Sequence, residues 1–443
     1  MMRPSFGLAA VASVDSAAPS LDTFSASDTY QATKFKIFDV VLELLENQNI
    51  SADASSARQI RTTIDEAINA YGIREGLALN TLERVWLADD VYHEITGLGP
   101  LEPLLRDPLI DDIIVNGARR VYVERGGTLS LVQARFRDDA HLMTIIQRIV
   151  SPIGRRIDES SPYVDARLAD GSRVNVIIPP IALDGPMLSI RKFRPEPITG
   201  DEYVRTGAMD HSMLDFLSNA VESRLNLLIC GGTGSGKTTL LNMLSGFIGD
   251  SERLITIEDA AELRLRQTHV VRLETRPPTI EGTREVNARD LVRNALRMRP
   301  DRIILGEVRG AEAVEMLQAM STGHDGSMAT VHANTDRDAL FRIEMLLGFG
   351  GLQADLRTLR RYISSSIQLI VHVQRTTDGR RRVTSITEVI GLEGDTITLN
   401  QLYRFAPDSP LSGDGVFEVM SRRPFFAHRL KRPITYATRP GTP

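Results

Sequence analysis

The chain has a single cysteine, Cys230, among 443 residues, which excludes a disulfide framework and any multi-cysteine zinc site. It has no stretch in which aromatic and basic side chains interleave, and its net charge is only −5. Neither a stacking surface for single strands nor a general pull toward nucleic acid or anionic lipid is therefore expected. No run approaches the roughly 18 apolar residues that a membrane span needs. The first twenty residues, MMRPSFGLAAVASVDSAAPS, hold no continuous apolar core of signal-peptide length. The expectation is a cytoplasmic protein with no span of its own, reaching a membrane only through a partner. The apolar fraction of 42% and charged fraction of 25% are those of a soluble globular protein, and the length suffices for two or three domains. No internal repeat is visible.

Against these absences one stretch is rich in information. Leu225–Thr239 reads LNLLICGGTGSGKTT. The apolar run Leu227, Leu228, Ile229 and Cys230 reads as a buried strand, and Leu240, Leu241 and Leu244 continue as a helix. Between them Gly231, Gly232, Thr233, Gly234, Ser235, Gly236, Lys237 and Thr238 match G-x-x-x-x-G-K-[ST] in the strand–loop–helix setting that the motif needs. Glycines let successive amide N–H groups turn inward as a nest for phosphate oxygens, and the helix N-terminus adds partial positive charge. Lys237 would reach the β- and γ-phosphates, with Thr238 holding Mg²⁺ and Thr239 completing the loop. Cys230, ending a buried strand, reads as a small core residue.

Along the chain, residues 1–30 are rich in Ser, Ala, Thr and Asp and are expected to form a disordered arm. Residues 31–105 carry helical spacing: Phe35, Ile37, Phe38, Val41, Leu42 and Leu45; then Ile60, Ile64, Ala67 and Ile68; then Leu82, Val85, Trp86, Val91 and Ile95, stopping at Gly97-Leu98-Gly99-Pro100. Residues 106–193 change period. Ile113–Val115 and Val121–Val123 flank an Asn116-Gly117 turn, 140–150 reads as a helix, and Val174–Ile178 and Leu188–Ile190 read as strands, giving a mixed α+β domain. Residues 194–212, with Pro195, Pro197, Gly200 and Gly207, are the expected linker. From 213 to 443 strands and helices alternate as in a parallel sheet with crossovers, and the part after about 405 is hard to place.

Hydrolysis needs more than a phosphate loop. Leu254-Ile255-Thr256-Ile257-Glu258-Asp259 reads as a strand beside the phosphate-loop strand. Its acids would sit at the C-terminal edge, where ligands lie in open α/β sheets, with Glu258 to orient or deprotonate water and Asp259 to assist the metal. Solvated turn acids are the plain alternative. Arg302–Glu307 is a second apolar strand ending in an acid, and Glu307 would poise a water or a metal-bound water; a capping glutamate is the alternative. Gly323–Asn334, GHDGSMATVHAN, holds His324 and His332 on a short turn into a strand. No further ligand completes a zinc site, so His332 is read as a donor near the γ-phosphate. Arg167, Arg173 and Arg191 lie in the α+β domain. Surface arginines are usually only solvated, yet one on a separate domain can close over a γ-phosphate.

These four stretches together resemble the type II/type IV secretion ATPase family. GGTGSGKTT matches its Walker A loop, ITIEDAAEL its acidic box, RIILGEVRG its Walker B strand and TGHDGSMATVHAN its histidine box. ETRPPTIEGTREVNARDLVRNALRMRPDRIILGEVRGAEA is similar to the branch that powers tight-adherence (Tad/Flp) pili. The resemblance covers about residues 90–395. It implies an α/β protein with a RecA-like phosphate-loop ATPase C-domain, a PAS-like α+β N-domain and an N-terminal helical module. It implies a homo-hexamer using ATP and Mg²⁺ to drive assembly, and possible retraction, of a pilus through a polytopic inner-membrane platform protein. Family members close the site with N-domain arginines, which carries that role to Arg167 and Arg191. The tetracysteine module of many general-secretion members is absent, which speaks against that branch. Conjugation-type secretion is the alternative client, since a client is not written in an active site. A DNA translocase and a nucleotide-gated scaffold without turnover are the remaining readings; acidic net charge opposes the first, and Glu258, Glu307 and His332 oppose the second.

Overall fold

The computed structural model describes residues 28–51, 56–76, 79–193, 198–276, 285–409 and 413–434. It divides into two units, residues 1–194 and 195–443.

In the first unit three helices, α1 (Asp28–Asn47), α2 (Ala57–Glu75) and α3 (Thr81–Thr96), pack through Ile37, Val41, Leu45, Ile60, Ile64, Ile68, Leu87 and Val91. Asn80 caps α3 with its side chain on the Glu83 amide, and Glu83 returns the bond. The expected disordered arm needs correcting at its end: residues 28–30 already belong to α1, and Tyr30 is buried with its hydroxyl donating to Asp90 Oδ2 at 2.7 Å. The rest of that arm lies outside the described residues. Leu82 and Val85 face solvent, and Leu87 takes the core position instead. A two-residue shift in a helical stripe, from Val85 to Leu87, turns the side chain to roughly the opposite face.

A short helix, α4 (Glu102–Arg106), leads to six antiparallel strands: β1 (Asp112–Asn116), β2 (Val121–Arg125), β3 (Thr128–Val132), β4 (Tyr163–Arg167), β5 (Arg173–Ile177) and β6 (Met187–Arg191). Their order is β3-β2-β1-β6-β5-β4. Helix α5 (Asp139–Val150), capped by Asp138, covers one face with Leu142, Ile145, Ile146 and Ile149. Sequence reading missed β3, whose residues are all outward or half-buried, and β4. The boundary at 105/106 also moves. Leu98, Leu101, Leu104 and Leu105 pack into the α+β core, so they belong with the sheet.

The helices are pinned to α5 by buried charge. Lys34 Nζ donates to Glu94 Oε1 at 2.8 Å, with the two side chains 3% and 1% exposed, and His141 Nε2 lies 2.9 Å from Glu94 Oε2. Burial alone would raise the Glu94 carboxyl, but His141 and Lys34 hold it below the ordinary glutamate range. Removing one member of a buried pair strands the other. Glu94→Ala is therefore expected to cost about 3–5 kcal/mol in chemical denaturation, and the pair Lys34→Met/Glu94→Leu to recover most of it.

In the second unit, described residues of the expected linker are structural. Helix α6 (Gly200–Arg205) buries Tyr203, and Ala208 and Met209 enter the core ahead of α7 (His211–Glu222). Nine strands follow: β7 (Leu227–Gly231), β8 (Leu254–Glu258), β9 (Val270–Glu274), β10 (Arg302–Val308), β11 (Met328–His332), β12 (Leu369–Arg375), β13 (Arg381–Glu393), β14 (Thr396–Pro407) and β15 (Gly415–Val419). The order is β15-β14-β13-β12-β7-β11-β10-β8-β9. From β12 to β9 all pairings are parallel; β13 to β15 form an antiparallel extension. Helices α8 (Lys237–Ser245), α9 (Ala288–Ala295), α10 (Glu312–Ser321), α11 (Asp336–Phe349) and α12 (Leu356–Ser366) complete it. Leu227 and Ile229 join one core cluster with Leu240 and Leu244, whereas Leu228 and Cys230 join another with Met316, Leu317 and Ile343. A strand buried on both faces must read as an unbroken apolar run, as β7 does. The region after 405 belongs here: β15 pairs with β14, Phe426 is buried, and Asn219 Nδ2 donates to Arg432 O at 2.7 Å.

Candidate nucleotide site

The site begins at the opposite end of the sheet from its chemistry. Asn226, fully buried just before β7, accepts from the amides of Gly326 and Ser327 at 2.8 and 3.1 Å. Its Nδ2 donates to Met320 O and Ser366 O, both at 2.8 Å. One side chain thus fixes where β7, β11 and β12 start. The register that follows pairs Leu227 with Met328 and Leu369, and carries Gly231 to a position opposite His332.

After Gly231 the chain leaves the sheet in a tight loop. Gly234 and Gly236 have φ of 69° and 97°, left-handed values that favour glycine. Gly236 caps α8, whose first amides have no preceding carbonyl to bond. Ser235 Oγ donates to Gly232 O at 2.9 Å. Lys237 is 9% exposed, and its Nζ donates to the carbonyls of Gly231 and Gly232 at 3.1 and 2.9 Å. Thr238 and Thr239 follow, half-buried in the first turn of α8. Cys230 is buried below the loop and its thiol is pushed well up, so it is an inert core group as expected.

The acids end neighbouring strands at the same edge. The expectation that Glu258 lies on the strand beside β7 is corrected: β11 and β10 intervene. At the usual strand spacing Glu307 is displaced from β7 by two intervals, about 10 Å, and Glu258 by three, about 14 Å. All these strands carry mainly apolar, buried runs, so composition could not order them. Glu258 is 4% exposed. Its Oε2 accepts from the amides of Glu262 and Leu263 at 2.7 and 2.9 Å, while its Oε1 is buried with no hydrogen-bond partner among the described residues. Burial raises its pKa, and the two amides offset only part of that rise. Gly306 makes room for it: a Cβ there would stand 2.9 Å from Glu258 Cγ. Thr330 Oγ1 donates to Gly306 O at 2.6 Å and locks β11 to β10 beside the acids.

Glu307 and Asp259 are joined by a residue that sequence reading passed over. Arg309 Nη2 lies 2.7 Å from Glu307 Oε2, and its Nη1 3.5 Å from Asp259 Oδ2. The bond to Glu307 raises the Arg309 pKa, so this cation is permanent. Asp259 is half-exposed and also accepts from Thr275 Oγ1 at 3.3 Å; no contact joins it to Thr238 among the described residues. Arg309 stood in RIILGEVRG, two residues past Glu307, so the signal was present but not its partner. The two histidines do not act as a pair: His324 precedes β11 and His332 ends it, exposed, at the loop side. No group of three or more His, Cys, Asp or Glu suited to a metal occurs among the described residues.

In the first unit Arg167, Arg173 and Arg191 fall opposite one another on β4, β5 and β6, with Asp112 next in the row. The neighbouring Val164, Val174 and Ile190 face the core, so this row is on the other face of the sheet. The fit of the loop to a metal-bound triphosphate rests on its amides, Lys237, the Thr238 hydroxyl and the partnerless Glu258 Oε1.

A glycine loop joining a buried parallel strand to a helix, with acids gathered at the same sheet edge, defines an α/β protein of the phosphate-loop class. Residues 94–393 match the family described as type II/IV secretion system protein. A Mycobacterium tuberculosis protein provisionally named for conjugal transfer is 41% identical over 307 residues, 68% of this chain and 87% of its own length. The conjugal transfer protein TrbB of Rhizobium radiobacter is 34% identical over 294 residues, 66% of this chain and 86% of its own. Among solved structures, the VirB11 ATPase of the Brucella suis type IV secretion system aligns at 29% identity over 65% of this chain and 91% of its own, with a TM-score of 0.36. The chain belongs to the type II/IV secretion system family. No helix among the described residues is long and apolar enough to cross a membrane.

Proposed function

We propose that the chain is a Mg²⁺-dependent ATP hydrolase and the motor subunit of a homo-hexamer docked peripherally at the inner membrane. The observation that carries this reading is the convergence of the phosphate loop, His332, Glu307 and Glu258 on one edge of one sheet. Residues 231–239 would hold the triphosphate, and Thr238, with Asp259 assisting, would hold a metal that would neutralise phosphate charge. Glu307 and Glu258 orient and deprotonate the attacking water, and His332 reports the γ-phosphate across one strand spacing from Gly231. Arg167 and Arg191, on a PAS-like module distinct from the RecA-like one, supply cations to the γ-phosphate, so that turnover drives domain motion.

The client is a tight-adherence pilus, assembled through a polytopic platform protein. The segment Glu274–Ala313 supports this branch by its likeness to it. A second reading, conjugation-type secretion, is favoured by the names of the relatives above. Phosphate release from ATP and Mg²⁺ by the full-length protein tests the motor. Recovery of the membrane protein that co-purifies from the native cell separates the clients. A multi-span pilus platform is the expected result, and a conjugation channel protein would select the second reading.

A further inference from the structure

Resting on the ATPase reading above, we propose that Arg381 is a positioning residue of the nucleotide site, delivered by the β12–β13 hairpin to fix the phosphate loop. Its Nε donates to Gly234 O at 3.0 Å, across 147 residues of sequence. Its stem packs on the loop as well: a Cβ on Gly236 would stand 3.2 Å from Arg381 Cδ. In a trans peptide the carbonyl and the following N–H point in opposite directions. Holding Gly234 O therefore fixes the Gly234–Ser235 peptide, whose N–H turns back to Gly232 O at 3.4 Å, and with it the curl of the loop that a phosphate nest depends on. Ser235 Oγ, bonded to Gly232 O, steadies the same peptide from its other side.

The hairpin is built to hold that arginine still. Thr376 N donates to Arg380 O at 2.8 Å to close the turn. Arg382, 3% exposed, forks onto both oxygens of Asp378 at 2.9 Å and lies 5.0 Å from the Phe405 ring centroid. The Arg382 guanidinium holds the Asp378 carboxyl far below the usual carboxylate range. Val383 N donates to Ala208 O at 2.8 Å. Further along the same strand, the hydroxyls of Ser385 and Thr387 donate to Asp336 at 2.8 and 2.6 Å, four residues after His332. Strand β13 therefore braces both the phosphate loop and the segment that carries His332. A rigid mount of this kind is what precise ligand geometry requires.

The test is a comparison of the full-length Arg381→Ala, Arg381→Lys and Arg380→Ala variants, with nucleotide affinity and steady-state ATP turnover measured alongside a thermal melt. Arg380 is an exposed residue of the same turn and serves as the control. Arg381→Ala is expected to weaken ATP binding and raise KM roughly tenfold, as for loss of one charged hydrogen bond, with kcat at saturation within about twofold of the parent. Arg381→Lys, which keeps the charge but lacks the planar Nε donor, is expected to recover only part of the affinity. Arg380→Ala is expected to bind as the parent does. An unchanged KM in both Arg381 variants, or a kcat loss without a KM change, overturns the inference while leaving the ATPase reading intact. Absence of ATP binding and turnover in the parent protein overturns both.

Discussion

Lys237→Ala is expected to abolish ATP capture and to cut turnover by roughly a hundredfold or more. The side chain is the one buried cation in the phosphate loop, and its ammonium is already held against the loop by the carbonyls of Gly231 and Gly232. A point charge fixed in a shielded place acts on phosphate oxygens far more strongly than one in water. The substitution removes no apolar packing of consequence, so the melting temperature should stay close to that of the parent. Equilibrium binding of a fluorescent ATP analogue and a phosphate-release assay check both halves. Parent-like turnover in the variant would remove the loop from the chemistry altogether.

The second large effect concerns the acids. Glu258→Gln and Glu307→Ala are each expected to lose turnover by at least about two orders of magnitude while ATP still binds. The two should differ in how they respond to pH and heat. Burial lifts Glu258 above its ordinary value of 4.5, so its base form, and with it kcat, disappears at a higher pH than a solvated glutamate would require. For stability the sign runs the other way. A raised folded-state pKa means that stability is fully present below the unfolded pKa and is lost as pH rises through the folded one. Glu258→Gln, neutral at every pH, should therefore melt no lower than the parent at pH 8, and higher if the ionised form is the strained one. Glu307→Ala instead strips Arg309 of its closest partner and should show no such gain. A pH series of kcat and of melting temperature for the parent and both variants checks the contrast.

How much of this was legible before folding depends on how local each signal is. The phosphate loop is a contiguous arrangement, so strand, glycines, lysine and helix could be read in one pass. The acid-ending strands at Glu258 and Glu307 could be read for the same reason. Their lateral order could not, because β7, β8, β10 and β11 all carry mainly apolar, buried runs and order is settled by which helix faces fit between them. Arg309 and Arg381 escaped for a related reason: an arginine in sequence looks solvated, and its partners Glu307, Asp259 and Gly234 are supplied by other elements or by a turn. Asn226 escaped because a single polar residue before a strand reads as a loop. In the first unit, strand β3 has no buried side chain to give it a period, and the leucines at 98–105 look like the end of a helical region until the sheet they cover is known.

Asn226 governs the opposite end of its own sheet. Side chains alternate along a strand, so a slip of one residue at the starting line would turn Ile229 out of its own core and swing His332 to the wrong side. The four hydrogen bonds of a single amide therefore act as an assembly jig. The alignment of the catalytic edge is decided one strand-length away from any phosphate, by a residue that never meets one.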